Sequence, residues 1–358
     1  MSKNTKTERC PLISVIIPCF NVACYLPQCM ESLERQTIGI ENLEFIFVDD
    51  ASTDDGATWD RITEFERRYP DSVVAVRLEQ NLRQGGAMNV GISCASASYI
   101  GFVASDDWIE PEMYETLYRC VREHGCDAAD CRMMMNFPDG RELVYRPLPG
   151  DFVQYEKSII EGGTHWVTVF MQKGYGGSTA CGIYRKKIIT EHHIYFPEGL
   201  KYEDNYWGYV LLLYIRSCYH LPNDFYHYRQ HAASTVHRKN DAGHLDRLEI
   251  ELMKLDTYRR LGISDRFKRE IEWDFLGYYY LNTVQQLWTM YDEPPYEVFV
   301  KITGNVRVLF PDYRSNPYLQ REGDGLNRIL IDLIDKNLNR QQFLAAGELI
   351  TEYARTEV

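Results

Sequence analysis

The chain has 358 residues, a length that allows about two domains at roughly 150 residues each. Hydrophobic residues make up 45% and charged residues 25% of it, a globular composition that excludes wholesale disorder. The formal charge is −13, and because phosphate binding needs a basic face, no nucleic-acid partner is expected.

Two further features bear on where the protein works. The first ten residues are polar and charged, and no apolar run approaches the roughly 20 residues of a membrane helix. The ten cysteines are scattered without C-x-x-C spacing, as in proteins of a reducing compartment. We therefore expect a cytoplasmic protein, with peripheral contact at the inner face of the membrane left open.

The first 110 residues alternate between strand and helix patterns. Continuous apolar runs predict buried strands at Leu12–Pro18, Leu43–Val48, Val73–Leu78 and Tyr99–Ala104. Amphipathic segments predict a helix after each strand, at Tyr25–Gln36, Ala57–Tyr69, Gly86–Ala95 and Pro111–His124. This alternation predicts an α/β fold with a mostly parallel central sheet and helices on both faces.

The rest of the chain has two different characters. Residues 126–235 are punctuated by Gly and Pro, which is typical of irregular sheet and loops around a site. Beyond residue 240 helical periodicity dominates, with Leu245, Leu248, Leu252 and Leu255 on one face. Further helix candidates lie at 271–288, 329–338 and 343–353. These segments predict a helical C-terminal extension.

Polar residues follow each of the four predicted strands. The clusters are Pro18–Asn21, Asp49–Asp54, Asn81–Asn89 and Ser105–Asp107. Each residue alone is explained as a helix cap or a turn former. Four clusters together indicate a binding site, because ligands of parallel sheets bind at the carboxyl ends of the strands.

The chemistry of these clusters matches a nucleoside diphosphate. A carboxylate such as Asp49 can accept the imide N–H of uracil, and the turn at 83–86 brings backbone N–H groups and one cation near phosphate. Asp106 and Asp107 can hold a hard divalent ion that also binds diphosphate oxygens. Other nucleotide frameworks are absent, because the sequence has neither G-x-x-x-x-G-K-[ST] nor G-x-G-x-x-G between a strand and a helix.

Four motifs in order, SVIIPCFN, FVDDASTD, NLRQGGAMNVG and FVASDDWIEP, resemble the nucleotide-sugar-binding half of bacterial family 2 glycosyltransferases of the GT-A fold. The segment LKYEDNYW at 200–207 is similar to the family's E-D segment, and YHYRQHAASTV at 226–236 to its Y-x-Y-R…S-x-T stretch. The resemblance implies a Rossmann-like GT-A domain at residues 1–238 and a helical extension at 239–358. Within the domain, residues 11–111 would bind the nucleotide sugar and 112–238 would lie on the acceptor side.

The resemblance also implies a metal-dependent, inverting hexosyltransferase. The donor would be a nucleotide sugar, with a UDP-sugar favoured, and the acceptor a hydroxyl of a glycan or lipid-linked saccharide in bacterial surface polysaccharide biosynthesis. Asp204 is assigned as the catalytic base and Glu203 as its orienting partner. Asp107 is assigned as first ligand of Mn²⁺ or Mg²⁺, with Asp106 as helper. The implied donor-binding residues are Pro18, Phe20, Asn21, Asp49, Asp50, Ser52, Asp54, Arg83, Gly85, Asn89 and Asp106.

Departures from the family pattern leave alternatives open. The D-x-D-D run begins here with Ala104, which makes a catalytically impaired nucleotide-sugar-binding module the alternative function. The stretch that often reads W-x-K-L-Y is altered near Cys181–Arg185. His231 or His237 can complete the metal site, although a structural role is the simpler interpretation. The aromatic-rich extension fits core packing, an acceptor or membrane surface, or a homo-oligomer interface.

Overall fold

The computed structural model describes residues 10–144, 151–165, 179–231, 238–321 and 325–356. The described residues up to 231 form a first compact unit, and those from 238 onward form a second. The predicted domain boundary between residues 238 and 239, and the predicted halves of the first domain, stay predictions.

The first unit contains ten strands and six helices among its described residues. The strands are β1 (Ile13–Cys19), β2 (Leu43–Asp49), β3 (Val73–Arg77), β4 (Tyr99–Phe102), β5 (Trp108–Ile109), β6 (Ala128–Asn136), β7 (Glu142–Val144), β8 (Asp151–Gln154), β9 (Gly182–Arg185) and β10 (Ser217–Arg229). The helices are α1 (Leu26–Glu34), α2 (Ala57–Arg68), α3 (Arg83–Cys94), α4 (Met113–His124), α5 (Lys186–Glu191) and α6 (Glu203–Leu212).

These strands pair into one sheet in the order β3-β2-β1-β4-β9-β6-β10-β5, with β7 beside β6 and β8 beside β10. Strands β3, β2, β1 and β4 are mutually parallel, and β6 is parallel to β10. Strand β9 lies antiparallel between β4 and β6 and so joins the two parallel groups. The predicted α/β fold is confirmed. The sheet is nevertheless mixed, because β5, β7, β8 and β9 pair antiparallel with their neighbours.

Alternate residues of β1 face two different cores. Ile13, Val15 and Ile17 are buried with apolar residues of α1, α2 and α4, whereas Ile16 is buried with those of α3 and α6. Successive side chains of a strand point to opposite faces, so helices cover both faces of the sheet, as predicted. Register then places Cys19 at the end of β1 beside Asp49 at the end of β2.

The described part of the second unit is helical. Its helices are α7 (Asp246–Arg260), α8 (Lys268–Phe275), α9 (Asn282–Thr289), α10 (Tyr296–Leu309), α11 (Leu326–Asp332) and α12 (Arg340–Thr356), with a π-helical segment at Leu276–Leu281. Aromatic rings pack in its core, with centroids 4.3 Å apart for Phe275 and Tyr279 and 4.8 Å for Phe299 and Phe343. Helix α10 escaped prediction because its Val, Thr and Gly residues have low helix propensity. No helix in the described ranges has the length and apolarity to cross a bilayer.

Candidate active site

The loops that follow β1 and β2 are tied together by Asn21. Its backbone N–H donates to Ser52 Oγ at 3.0 Å, and its side-chain oxygen accepts from the Thr53 N–H at 2.7 Å. Asn21 has a φ of +55°, a conformation that Asn tolerates better than most residues. Asn21 and Ser52, both predicted in the site, therefore fix the backbone of this edge of the sheet.

Asp49 and Asp50 are buried at the end of β2. Asp49 Oδ1 accepts from the Ser52 N–H at 3.0 Å. Asp49 Oδ2 lies 3.3 Å from Arg77 Nε but makes no well-directed hydrogen bond within the described ranges. Asp50 Oδ1 accepts from the Leu82 N–H at 2.7 Å, and burial raises the pKa of Asp50 to about 6. Asp49 Oδ2 therefore has an ion-pair contact but no hydrogen bond in the described ranges, while Asp50 holds the loop before α3.

Three other predicted donor-binding residues have different surroundings. Asp54 Oδ2 accepts from the backbone N–H and the hydroxyl of Thr58, at 3.1 Å and 2.6 Å, and so anchors the start of α2. Pro18 is half-buried in β1, and Phe20 is exposed. Asp54 thus has a structural contact of its own, whereas Phe20 presents an open aromatic ring at the edge.

The start of α3 lies against the segment 196–203. A Cβ on Gly85 would lie 2.5 Å from the Pro197 carbonyl oxygen and 3.1 Å from Glu203 Cγ, so a larger residue does not fit there. Asn89 donates to the Phe196 carbonyl at 2.9 Å and accepts from its N–H at 2.8 Å. Asn89 and Gly85 therefore position the segment that leads into Glu203.

Arg83 begins α3 with a φ of +60° and an exposed side chain. Its backbone N–H donates to Asn81 Oδ1 at 3.0 Å. Its positive charge lowers the pKa of Glu203, in opposition to burial. Arg83 thus brings a cation close to the acidic pair at the start of α6.

That pair consists of Glu203 and Asp204. Glu203 is buried, and Asp204 is half-buried with Oδ1 accepting from the Asn205 N–H at 3.0 Å. Burial and the negative charge of Asp204 raise the pKa of Glu203 to about 8. Burial therefore favours the protonated form of Glu203 at neutral pH.

Asp106 and Asp107 differ sharply in burial. Asp107 is 2% exposed, and its two oxygens accept from the Tyr226 hydroxyl at 2.6 Å and the Arg229 N–H at 2.8 Å. Burial and the charge of Asp106 raise the pKa of Asp107. The Asp106 side chain is 29% exposed, and its Oδ2 lies 3.0 Å from His231 Nε2. The sequence assigned Asp107 as first metal ligand, but its surroundings suit an anchor better than a ligand.

The end of β10 holds this acidic loop in place. The Tyr226 hydroxyl also accepts from the Ala104 N–H at 3.1 Å, and Arg229 Nε donates to the Asp106 carbonyl at 2.7 Å. The Arg229 guanidinium lies over the rings of Trp108 and Tyr25, 4.8 Å and 5.4 Å from their centroids. The loop is therefore ordered without a carboxylate at position 104.

The sequence analysis did not identify Tyr25 or Trp108, and it offered His231 as one of two histidines for the metal site. Tyr25 OH lies 3.3 Å from His231 Nδ1, so the ring of His231 is held between Tyr25 and Asp106. Tyr25 is the first residue of a predicted helix, and nothing in the local pattern signals a partner in β10 or beyond. His237, the other predicted histidine, lies outside the described residues.

Several known proteins are similar to this chain. The model of the glycosyl transferase family 2 matches residues 14–191. The putative glycosyltransferase EpsH of Bacillus subtilis (strain 168) is 28% identical over 64% of this chain and 63% of its own length. The poly(ribitol-phosphate) beta-glucosyltransferase of Bacillus spizizenii is 35% identical over 32% of this chain and 18% of its own length. The matches thus span less than two thirds of these curated relatives.

Solved structures give the fold. The crystal structure of S. aureus TarS 1–349 covers 97% of this chain and 92% of its own, with a TM-score of 0.66 at 20% identity. The complex of TarS 1–349 with UDP-GlcNAc has a TM-score of 0.55 at 20% identity and covers 86% of this chain and 88% of its own. The GT-A fold inferred from the motifs is confirmed, and the chain belongs to glycosyltransferase family 2.

Proposed function

We propose that the protein is a metal-dependent, inverting glycosyltransferase that moves a hexosyl residue from a UDP-sugar to a hydroxyl of a glycan or lipid-linked acceptor. The observation that carries this proposal is the grouping at the carboxyl edge of the sheet. A buried Asp49 oxygen with no hydrogen bond in the described ranges, a partly exposed Asp106 beside His231, and the acidic pair at 203–204 lie on elements that meet there.

The donor proposal rests on Asp49 and on solved structures of the same fold. Asp49 Oδ2 can accept one N–H from a base, which suits the imide of uracil. TarS binds UDP-GlcNAc on the same fold, which supports a UDP-sugar here as well. The identity of the sugar is left to experiment.

The described residues fit a divalent metal at Asp106. Its carboxylate is half-exposed, and the His231 imidazole nitrogen 3.0 Å away is a second metal-binding group. Asp107 lies behind this pair and fixes the loop through Tyr226 and Arg229. When bound, Mn²⁺ or Mg²⁺ would stabilise negative charge on the leaving diphosphate.

Asp204 is the proposed general base. The acceptor hydroxyl gives its proton to the Asp204 carboxylate while its oxygen forms the new bond to the anomeric carbon. The bond from that carbon to the diphosphate oxygen breaks, and the electron pair leaves with UDP. Glu203, protonated at neutral pH, does not compete for the proton and can donate a hydrogen bond. Attack from the face opposite the leaving group inverts the anomeric centre.

The class of acceptor is proposed from the curated relatives. Relatives that include a poly(ribitol-phosphate) beta-glucosyltransferase support a bacterial surface polymer as acceptor. The test panel should therefore hold polyol-phosphate, glycan and lipid-linked saccharide acceptors.

The experiment that tests the proposal measures UDP release and sugar transfer with a panel of UDP-sugars, each with Mn²⁺ or with EDTA. We expect metal-dependent turnover with one preferred sugar, and NMR of the product should show the inverted anomer. Metal-dependent binding of UDP-sugars without turnover on any acceptor would favour the catalytically impaired module. Absence of both binding and turnover would contradict the proposal.

A further inference from the structure

Three side chains with metal-binding atoms meet between β6 and β10. Asp130 lies in β6, and Cys218 and His220 lie in β10. The two strands are parallel, with Asp130 opposite His220. A carboxylate oxygen, a thiol sulfur and an imidazole nitrogen lie within 4.8 Å of one another, and all three residues are buried. We refer to them as the β6–β10 cluster.

The β6–β10 cluster is separate from the candidate active site. His220 and Tyr226, which contacts Asp107, are on the same strand but six residues apart. At about 3.3 Å per residue this spacing corresponds to roughly 20 Å, shortened somewhat by an irregular register between them. A ligand at the cluster therefore does not touch the donor.

The contacts within the cluster converge on one nitrogen atom. His220 Nδ1 lies 2.7 Å from Asp130 Oδ1 and 3.9 Å from Cys218 Sγ. A catalytic relay would place the nucleophile and the acid on different nitrogens of the imidazole, so the geometry argues against a Cys-His-Asp triad. Three donors that surround one point instead suit a shared cation.

The electrostatics of the cluster favour positive charge at that point. The Asp130 carboxylate lies 2.7 Å from the imidazole nitrogen, where it can accept a hydrogen bond from a proton on that nitrogen. A metal ion can replace that proton and also draw the proton from the thiol.

We propose that Asp130, Cys218 and His220 bind a zinc ion that fastens β6 to β10. Nitrogen, sulfur and carboxylate oxygen are the usual zinc ligands, and a water completes four-coordination. Zinc bonds of about 2.0–2.3 Å in a tetrahedron separate ligand atoms by about 3.3–3.8 Å. To bind zinc, the Asp130 Oδ1–His220 Nδ1 distance would lengthen and the Cys218 Sγ–His220 Nδ1 distance would shorten, each by about half an ångström. Side-chain rotation can provide changes of this size. The thiol distinguishes this site from an oxygen-rich site for Mn²⁺ or Mg²⁺.

The wild-type protein tests the proposal without any substitution. We expect protein purified without chelator to carry one zinc per chain, measured by elemental analysis. Protein refolded with Co²⁺ should show tetrahedral d–d bands and a thiolate-to-cobalt charge-transfer band. The proposal is wrong if the folded protein contains no zinc, takes up none and gives no such band. Asp130 and His220 are then simply a hydrogen-bonded pair.

Matched variants locate the ion. Cys218→Ser should abolish the charge-transfer band and weaken zinc binding at least about tenfold. Cys120→Ser is the control, because Cys120 is also a buried thiol of the first unit but lies on α4, outside the β6–β10 cluster. Asp106→Asn should keep both the zinc and the band. A band that survives in Cys218→Ser would overturn the assignment. If Cys218→Ser does not fold, zinc content and the cobalt spectrum of the wild type decide.

Discussion

At the scale of single residues, burial separates the roles of neighbouring carboxylates. Asp106 and Glu203 each have an adjacent acid, and in both pairs one side chain is buried and the other is partly exposed. The partly exposed members, Asp106 and Asp204, can contact a ligand. Asp107 is instead hydrogen-bonded to protein atoms, and burial favours the protonated form of Glu203. Adjacent acids can thus do different work because desolvation favours the neutral form of only one of them.

The substitution Asp204→Asn should lower kcat by about 10²- to 10⁴-fold, because the amide cannot accept the acceptor proton. Affinity for the UDP-sugar should change less than about threefold, since the proposed role is confined to the acceptor. Steady-state kinetics and donor titration by calorimetry measure the two effects. Full transfer activity in this variant would remove Asp204 from the mechanism.

Glu203→Gln should change the pH dependence of stability. In the folded protein the pKa of Glu203 is raised to about 8 from its ordinary value of 4.5. Between these values the folded state holds a proton that the unfolded state has released, so stability falls as pH rises through this window. Gln does not ionise, so the free energy of unfolding of the variant should not carry this pH dependence. Across the window it should fall by on the order of 2 kcal/mol less than that of the wild type. Thermal melts from about pH 5 to about pH 9 check this, and parallel curves for both proteins would contradict it.

At the scale of elements, the end of β10 orders the acidic loop that follows β4. Tyr226 is fully buried and bridges the Ala104 N–H and the Asp107 carboxylate, while Arg229 reaches both acids of the loop. These contacts connect the predicted donor half to a strand from the predicted acceptor half. A change in β10 should therefore weaken binding at the proposed metal site.

Tyr226→Phe tests that connection. Loss of the hydroxyl leaves Asp107 Oδ2 and the Ala104 N–H without this partner, which should cost about 1–3 kcal/mol of stability and loosen the loop. The Mn²⁺ concentration for half-maximal activity should rise about three- to tenfold. Tyr280→Phe is the control, because the buried Tyr280 hydroxyl donates to the Leu330 carbonyl in the second unit. An equal change in metal dependence in both variants would attribute the effect to stability alone.

The sequence predicted elements better than side-chain directions. Strands β1–β4 and the helices after them were predicted within a few residues, because a local pattern of apolar residues decides them. The direction of Asp107 depends on Tyr226 and Arg229, 119 and 122 residues away along the chain. Asn89 likewise contacts Phe196 at a separation of 107 residues, and this contact makes it a positioning residue. No local sequence pattern records such contacts. The sequence could therefore predict that polar residues follow the strands at one edge of the sheet, but the contacts of Asp107 and Asn89 required the structure.

At the scale of the whole molecule, an acidic protein is proposed to bind an acidic ligand. The formal charge of −13 opposes a nucleoside diphosphate at long range. A divalent ion between Asp106 and the diphosphate would remove this repulsion where it is strongest. The affinity for UDP should therefore depend on the divalent ion, and substitution of Asp106 should reduce that dependence.

Calorimetric titration of UDP with Mn²⁺ and with EDTA tests the central claim most directly. The wild type should bind UDP at least about tenfold more tightly with Mn²⁺, by about 1.4 kcal/mol or more. Asp106→Asn should lose this difference, whereas Asp265→Asn, which changes an exposed acid of the second unit, should keep it. Equal affinity for UDP with Mn²⁺ and with EDTA in the wild type, or an undiminished metal effect in Asp106→Asn, would contradict the proposed metal-assisted donor site.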